Sequence, residues 1–235
     1  MSPVSLTIFF PMYNESENIE AVLKHVDEVV PELGFEEYEV LFIDDGSKDG
    51  CDRIVADWAQ RNAHVRMVQH PQNRGYGQAL CTGFKESRSE AVFYTDSDLP
   101  VNLMDLQKAL PLLKDADLVT GYRIERHETL RRAVYSRIYN TLMRVLFGVR
   151  VRDVNFSFKL MKKEVLDRIH LTAETVFVDG QLLAEAQRCG FRIAEIPIEY
   201  RPRELGHSSF DSLRVAWQTL MEMLTYWVRK NRGGA

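Results

Sequence analysis

Short β-rich runs alternate with amphipathic runs through the N-terminal part of the chain, and no other feature restricts the fold as much. Residues 4–10, 39–43, 65–68 and 92–94 are apolar and rich in strand formers. Between them, residues 17–30, 51–62 and 78–87 carry helical spacing of apolar positions. Strand and helix alternating at this interval predict a mixed, mainly parallel α/β sheet with right-handed crossovers and helices on both faces. The punctuation agrees. Pro11 ends the first run, Pro31 and Gly34 end the first helix, and Asp44-Asp45-Gly46-Ser47 closes the second strand. Asn14 or Ser16 can cap the first helix, and Ser47 or Asp49 the second. Further strands are expected at 118–120 and 192–200, the latter at a sheet edge because it contains Pro197.

Three of the loops that follow these strands carry acids: Glu15, Asp44 with Asp45, and Asp96 with Asp98. A parallel sheet delivers such loops to one edge, where open α/β sheets bind ligands. Asp96 and Asp98 are two apart, which on extended chain places them on one side. Two hard anionic oxygen donors so placed suit Mg2+ or Mn2+ carrying a diphosphate. The plainer reading is a solvated Asp/Ser loop that ends a strand at Pro100. The other acids either meet ribose hydroxyls and a base N–H or serve as caps and turn residues; for Asp49 the cap is favoured. No Gly-x-Gly-x-x-Gly follows the first strand and no Gly-x-x-x-x-Gly-Lys-Ser/Thr is present, so the dinucleotide and P-loop readings lose their main support.

The chain of 235 residues is long enough for one large α/β domain, placed at 1–208, with an appended helix and tail at 209–235. A net charge of −4 argues against a nucleic-acid partner held by bulk electrostatics. Cys51, Cys81 and Cys189 are scattered and odd in number, which suggests a reducing compartment without disulfides or zinc. Residues 4–10 lack a basic leader and a cleavage site, and no apolar run is long enough to span a bilayer.

Four segments resemble the family 2 glycosyltransferases of the GT-A (Rossmann-like) fold, close to the dolichyl- and polyprenyl-phosphate sugar synthases such as dolichol-phosphate mannosyltransferases. They are 10–15 (Phe-Pro-Met-Tyr-Asn-Glu), 43–50 (Ile-Asp-Asp-Gly-Ser-Lys-Asp-Gly), 73–80 (Asn-Arg-Gly-Tyr-Gly-Gln-Ala-Leu) and 94–99 (Tyr-Thr-Asp-Ser-Asp-Leu). Order and spacing fit along about the first 210 residues. The resemblance implies that Pro11, Tyr13, Glu15, Asp44, Asp45, Gly75 and Gln78 hold the nucleotide of a nucleotide-diphosphate sugar, GDP-mannose or UDP-glucose. It implies that Asp96 and Asp98 hold Mg2+ or Mn2+ and the diphosphate. Pro100 departs from the pattern: relatives often carry a metal-contacting Gln there.

Beyond residue 120 the sequence is rich in arginine: Arg123, Arg126, Arg131, Arg132 and Arg137. Leu130, Val134, Ile138, Leu142 and Leu146, with Tyr135, Tyr139 and Phe147, form an apolar helical stripe beside them. That helix either packs on the sheet with a solvated basic face or lies on a membrane surface with anionic headgroups. Arginine makes bidentate bonds to phosphate. By resemblance, Arg123, Arg132 and Ser136 bind an acceptor phosphate, and Arg203 with Ser208 belong to a loop that closes over the site. Asp96, Asp98, Arg123 and Arg203 are then the catalytic set. Residues 151–159 resemble an Asp-x-x-x-Gly-Phe-Lys/Arg segment, with Ser157 in the glycine place; Asp153 either orients an arginine or caps a turn. A polyprenyl or dolichyl phosphate is already largely dianionic at neutral pH and needs alignment more than a base. The rival is a hydroxyl acceptor with Asp179 as general base, Asp179 being otherwise a cap for a helix over 181–189. An inactive nucleotide-sugar-binding homologue is the non-enzyme alternative. The stretch 209–229 reads as an amphipathic helix with Leu213, Trp217, Leu220, Met221, Leu224, Trp227 and Val228 on one face. It implies a peripheral enzyme at the cytoplasmic face of a membrane, or a helix docked on its own domain, a partner subunit or a second copy.

Overall fold

The computed structural model describes residues 5–124, 130–200 and 213–232, with 130–132 and 232 as backbone only. β1 (Ser5–Met12), β2 (Glu37–Asp44), β3 (Val65–Gln69) and β4 (Ala91–Tyr94) are parallel, paired as β3-β2-β1-β4. The sheet continues through β6 (Lys159–Lys162) and β5 (Leu118–Arg123) to β7 (Ile193–Ile198), in the order β3-β2-β1-β4-β6-β5-β7. β6 is antiparallel to both neighbours. The expected mixed, mainly parallel sheet is therefore present, and β7 with Pro197 is an edge strand as read. The reversed β6 went unread because Lys-Leu-Met-Lys is short and flanked by charge. Its reversal matters for the site. The carboxyl end of β4 and the amino end of β6 meet at the same edge, with Tyr94 opposite Lys159.

Alternation in β1 sends Leu6, Ile8, Phe10 and Met12 to one face and Phe9 to the other. The first face is covered by α1 (Ser16–Val29), α2 (Cys51–Ala59) and α4 (Leu106–Ala109). The second carries α3 (Tyr76–Glu86), α5 (Leu130–Phe147), α6 (Lys163–Arg168), α7 (Phe177–Arg188) and α8 (Leu213–Arg232). Ala79, Met143, Val165, Leu182 and Met223 reach the core from these helices. α8 is pinned to α7 by Glu222, whose carboxylate accepts the Glu174 N–H at 2.7 Å and the Thr175 N–H at 3.1 Å, and by the Lys230–Glu185 pair at 3.0 Å.

Several boundaries differ from the sequence reading. β1 runs through Pro11, which is buried and aligned with Ile43, so this proline sits inside a strand and does not end it. α1 begins after Glu15 with no side-chain cap of its own; Asn14 and Ser16 do not cap it. Asp49 serves both helices instead. Its Oδ2 accepts the Ser16 N–H at 2.8 Å and its Oδ1 accepts the Cys51 N–H at 3.2 Å. Burial pushes this carboxyl up, but the bonds from Ser16 and Cys51 outweigh it and hold the group below its usual range. α7 begins at Phe177, so Asp179 lies inside its first turn and is not the cap. On α5 the expected stripe is split: Met143 and Tyr139 dock, while Val134 and Ile138 face solvent. No described helix is long and apolar enough to cross a membrane.

Candidate active site

The chain leaves β4 at Tyr94 and turns through residues 95–100 at the carboxyl edge. Leu99 adopts φ +47°, a left-handed conformation that costs a residue with a β-carbon, directly after Asp98 and before Pro100. Asp96 accepts a hydrogen bond from the Tyr76 hydroxyl at 3.1 Å and another from the Ser157 hydroxyl. Burial pushes the Asp96 carboxyl up; the bonds from Ser157 and Tyr76 and the charge of Lys159 oppose that, and the charge of Glu15 adds to it. Burial likewise drives the Tyr76 phenol well above its ordinary value, with Asp96, Asp179 and Asp98 adding to the rise. Four segments therefore meet at one acidic centre: the loop after β4 (Asp96, Asp98), the start of α3 (Tyr76), the approach to β6 (Ser157) and the loop after β1 (Glu15).

Beneath this centre lies a buried network. Lys159, wholly buried, places Nζ 2.7 Å from Asp179 Oδ1 and 2.7 Å from the Phe156 carbonyl, over the Tyr94 ring. The Tyr94 hydroxyl donates to the same Asp179 oxygen. Burial lowers the Lys159 ammonium to about 7, against the raising charges of Asp153 and Asp96, and burial pushes the Asp179 carboxyl well up.

On the side of β1 to β3, the expected nucleotide residues form an interlocked rim. Asp45 Oδ1 meets His70 Nδ1 at 2.7 Å and the Arg74 N–H at 2.9 Å, and its Oδ2 accepts the Gly75 N–H at 2.8 Å. Asp44 accepts the Ser47 N–H at 3.0 Å and the Gln69 amide at 2.7 Å. Both carboxylates thus brace loops. Gly75 has φ +92°, open to glycine, and Gly46 has φ +77° with a virtual β-carbon 2.6 Å from the Gln72 carbonyl carbon. Asn14, at φ +54°, joins the loops after β1 and β2: its N–H donates to Ser47 Oγ at 2.9 Å and its Oδ1 accepts the Lys48 N–H at 2.8 Å. Pro11 is buried below, Tyr13 is 41% exposed at the rim, and Gln78 accepts from Arg74 at 3.2 Å.

On the opposite side, Arg123 ends β5. Asp153 grips its guanidinium through two oxygens, Nε to Oδ2 at 2.7 Å and Nη2 to Oδ1 at 3.2 Å. Phe156 and Tyr200 pack under the cation at 5.6 and 5.4 Å. The orienting role expected of Asp153 is present. Ser136 is half-buried on α5. The Arg132 side chain, Arg203 and Ser208 lie outside the described residues, as does the loop that would close over the site. A separate open concavity, lined by Arg144, Gly148, Arg150 and Gln187, sits at the C-terminal ends of α5 and α7.

The donor set fits a hard divalent cation. Asp96 and Asp98 supply anionic oxygens, and among the described residues no third His, Cys, Asp or Glu completes a protein cage. That is the pattern of Mg2+ or Mn2+ carried jointly by one or two carboxylates and substrate phosphates. Sequence reasoning missed Tyr76 and Tyr94, ordinary aromatics in their segments, and His70, whose place directly after β3 was the available signal. Ser157 and Lys159 were named without a role because β6 was not recognised.

Comparison with known proteins bears on this geometry. The model for Glycosyl transferase family 2 matches residues 7–170. The chain is 28% identical over 233 residues to the glycosyltransferase AglD of Haloferax volcanii, covering 95% of this chain and 37% of that protein. It therefore spans well under half the length of that relative. Among solved structures, glucosyl-3-phosphoglycerate synthase from Mycobacterium tuberculosis with Mn2+, UDP and glucosyl-3-phosphoglycerate superposes at a TM-score of 0.73 and 18% identity, covering 94% of this chain and 79% of that one. Mannosyltransferase PcManGT from Pyrobaculum calidifontis, with GDP-Man and Mn2+, gives 0.67 and 21%, covering 96% and 65%. At these identities the likeness establishes the shared fold.

Proposed function

The chain belongs to glycosyl transferase family 2, and from that premise we propose that it transfers a hexose, mannose or glucose, from a nucleotide-diphosphate sugar to a polyprenyl or dolichyl phosphate with inversion at the anomeric carbon. The observation that carries the acceptor assignment is the Arg123–Asp153 clamp, which holds a bidentate phosphate reader at the edge that also bears Asp96 and Asp98. A phosphate monoester has a second pKa near ~6 and arrives largely ionised, so it needs alignment and no proton acceptor. Arg123, with Arg132, Ser136, Arg203 and Ser208 as expected partners, supplies that alignment. Asp96 and Asp98 would hold the cation; when bound there it supplies positive charge that stabilises the departing nucleoside diphosphate. Pro11, Tyr13, Glu15, Asp44, Asp45, Gly75 and Gln78 form the nucleotide rim. Asp179 does not suit the rival role of general base. It is 1% exposed and committed to Lys159 and Tyr94.

A peripheral seat on the cytoplasmic face of a membrane belongs to the same reading. Leu213, Trp217, Met221 and Val228 make an exposed stripe along α8, and Val134, Ile138 and Val145 do so on α5, with Arg137 and Arg144 beside them. Vesicles containing anionic lipid should float the wild-type chain and lose a variant carrying Trp217→Ser and Met221→Ser.

The deciding experiment incubates the full chain with labelled GDP-mannose or UDP-glucose, with Mn2+ or EDTA, and with either a short polyprenyl phosphate or 3-phosphoglycerate. Labelled lipid made only with metal supports the proposal. Product only on 3-phosphoglycerate overturns the acceptor assignment and retains the donor half.

A further inference from the structure

Ser157 stands where the resemblance places glycine, and the fold gives its hydroxyl a specific task. The antiparallel β6 returns to the carboxyl edge, and the residues before Lys159 arrive beside the residues after Tyr94. Ser157 is 3% exposed, and its hydroxyl bonds to Asp96. Tyr76 reaches the same carboxylate from α3, 3.1 Å from Oδ1. Glycine at 157 has no donor to offer. A carboxylate accepts several hydrogen bonds, so two neutral donors can fix its rotamer and leave lone pairs for a cation. Pro100, which has no side-chain ligand, stands where relatives often carry a metal-contacting Gln. Fixing Asp96 lowers the ordering cost of binding through so few protein oxygens.

We infer that Ser157 is a positioning residue: together with Tyr76 it fixes the Asp96 carboxylate for a divalent cation, replacing by orientation what the chain lacks in ligands. The assignment rests on the reading of Asp96 and Asp98 as the cation site. Groups that orient ligands in this way commonly change metal affinity 10–100-fold when removed.

The test is a Mn2+ titration of the full chain by electron paramagnetic resonance, with UDP and with GDP, for wild type, Ser157→Ala, Ser157→Gly, Ser157→Thr, Tyr76→Phe and Asp96→Asn. The expected result is about tenfold weaker Mn2+ binding in Ser157→Ala and Ser157→Gly, recovery in Ser157→Thr, and an altered Mn2+ line shape in Tyr76→Phe. Nucleotide binding in EDTA and thermal midpoints should stay at wild-type values. Affinities within twofold of wild type in both Ser157→Ala and Ser157→Gly, while Asp96→Asn abolishes binding, would overturn the role of Ser157 and leave the cation site standing. Mn2+ binding that is indifferent to Asp96→Asn would remove the cation site itself, and this assignment with it.

Discussion

Replacing Asp179 with asparagine should turn a buried pair without pH dependence into a lysine with a strong one. In the native protein both partners are essentially out of water and 2.7 Å apart. Burial lowers Lys159 to about 7 and raises Asp179. Taken singly these shifts give opposite pH dependences. Taken as a pair they hold one proton, the number an unfolded lysine and aspartate hold together between about pH 5 and 9. Proton uptake does not differ between the states there, so the pair adds no slope to stability. In Asp179→Asn only the lysine titrates. The carboxylates that raise it are Asp153 and Asp96, which remain, so its folded value stays near 7. Its unfolded value is about 10.4. Between the two the unfolded chain binds one proton more, so stability rises with pH by about 1.4 kcal/mol per unit, about 4 kcal/mol over the window. Below pH 7 the cation is buried without its carboxylate and the variant is least stable. Lys159→Met reverses the sign. Its lone carboxyl has a folded value raised above the unfolded one, so stability is full at low pH and is lost as pH rises. Urea unfolding of the three proteins from pH 5 to 9.5, with m-values compared, reads all of this. Parallel profiles for wild type and Asp179→Asn would refute the reasoning.

Three other perturbations follow from single contacts. Asp49→Ala removes the acceptor for both the Ser16 and Cys51 N–H groups, at roughly 1 kcal/mol each, and should lower the thermal midpoint by about 4–8 °C in a calorimetric scan. Asp153→Asn loosens the Arg123 clamp and should cut kcat/KM for a phosphate acceptor about 10–100-fold, with the donor Kd measured by calorimetry unchanged. Gly77→Ala would set a β-carbon 2.5 Å from the Ala173 carbonyl oxygen, where α3 abuts the loop before α7. It should destabilise by about 1–3 kcal/mol in urea unfolding, whereas Gly50→Ala meets no atom and costs only its backbone strain at φ +91°.

The sequence was legible where one element's pattern is self-contained and illegible where two distant segments share a task. β1 to β4 and the helices between them announce themselves through local periodicity, and their loops carry Glu15, Asp44, Asp45, Asp96 and Asp98 to one edge by topology alone. The acid pairs were legible as chemistry for the same reason. What they do is partly another matter. Asp45 could be read as a ligand of the nucleotide, yet its oxygens already accept from Arg74, Gly75 and His70, contacts formed only when β2, β3 and the start of α3 have been brought together. The same holds more strongly at β6. Lys-Leu-Met-Lys has no strand signature because its place is set by β4 and β5 on either side, and its lysine is tolerated in the core only because α7 delivers Asp179 to it. Reading Asp179 as a cap followed from local rules, since an acid in a first turn complements the helix dipole. The fold overrides that rule. It uses the acid as the counter-charge of a lysine twenty residues earlier, and it uses the lysine's strand to carry Ser157 to Asp96. The acidic edge and the strand that reverses beside it are thus one construction: β4 sets out the carboxylates, and β6, running the other way, brings the groups that hold them in place.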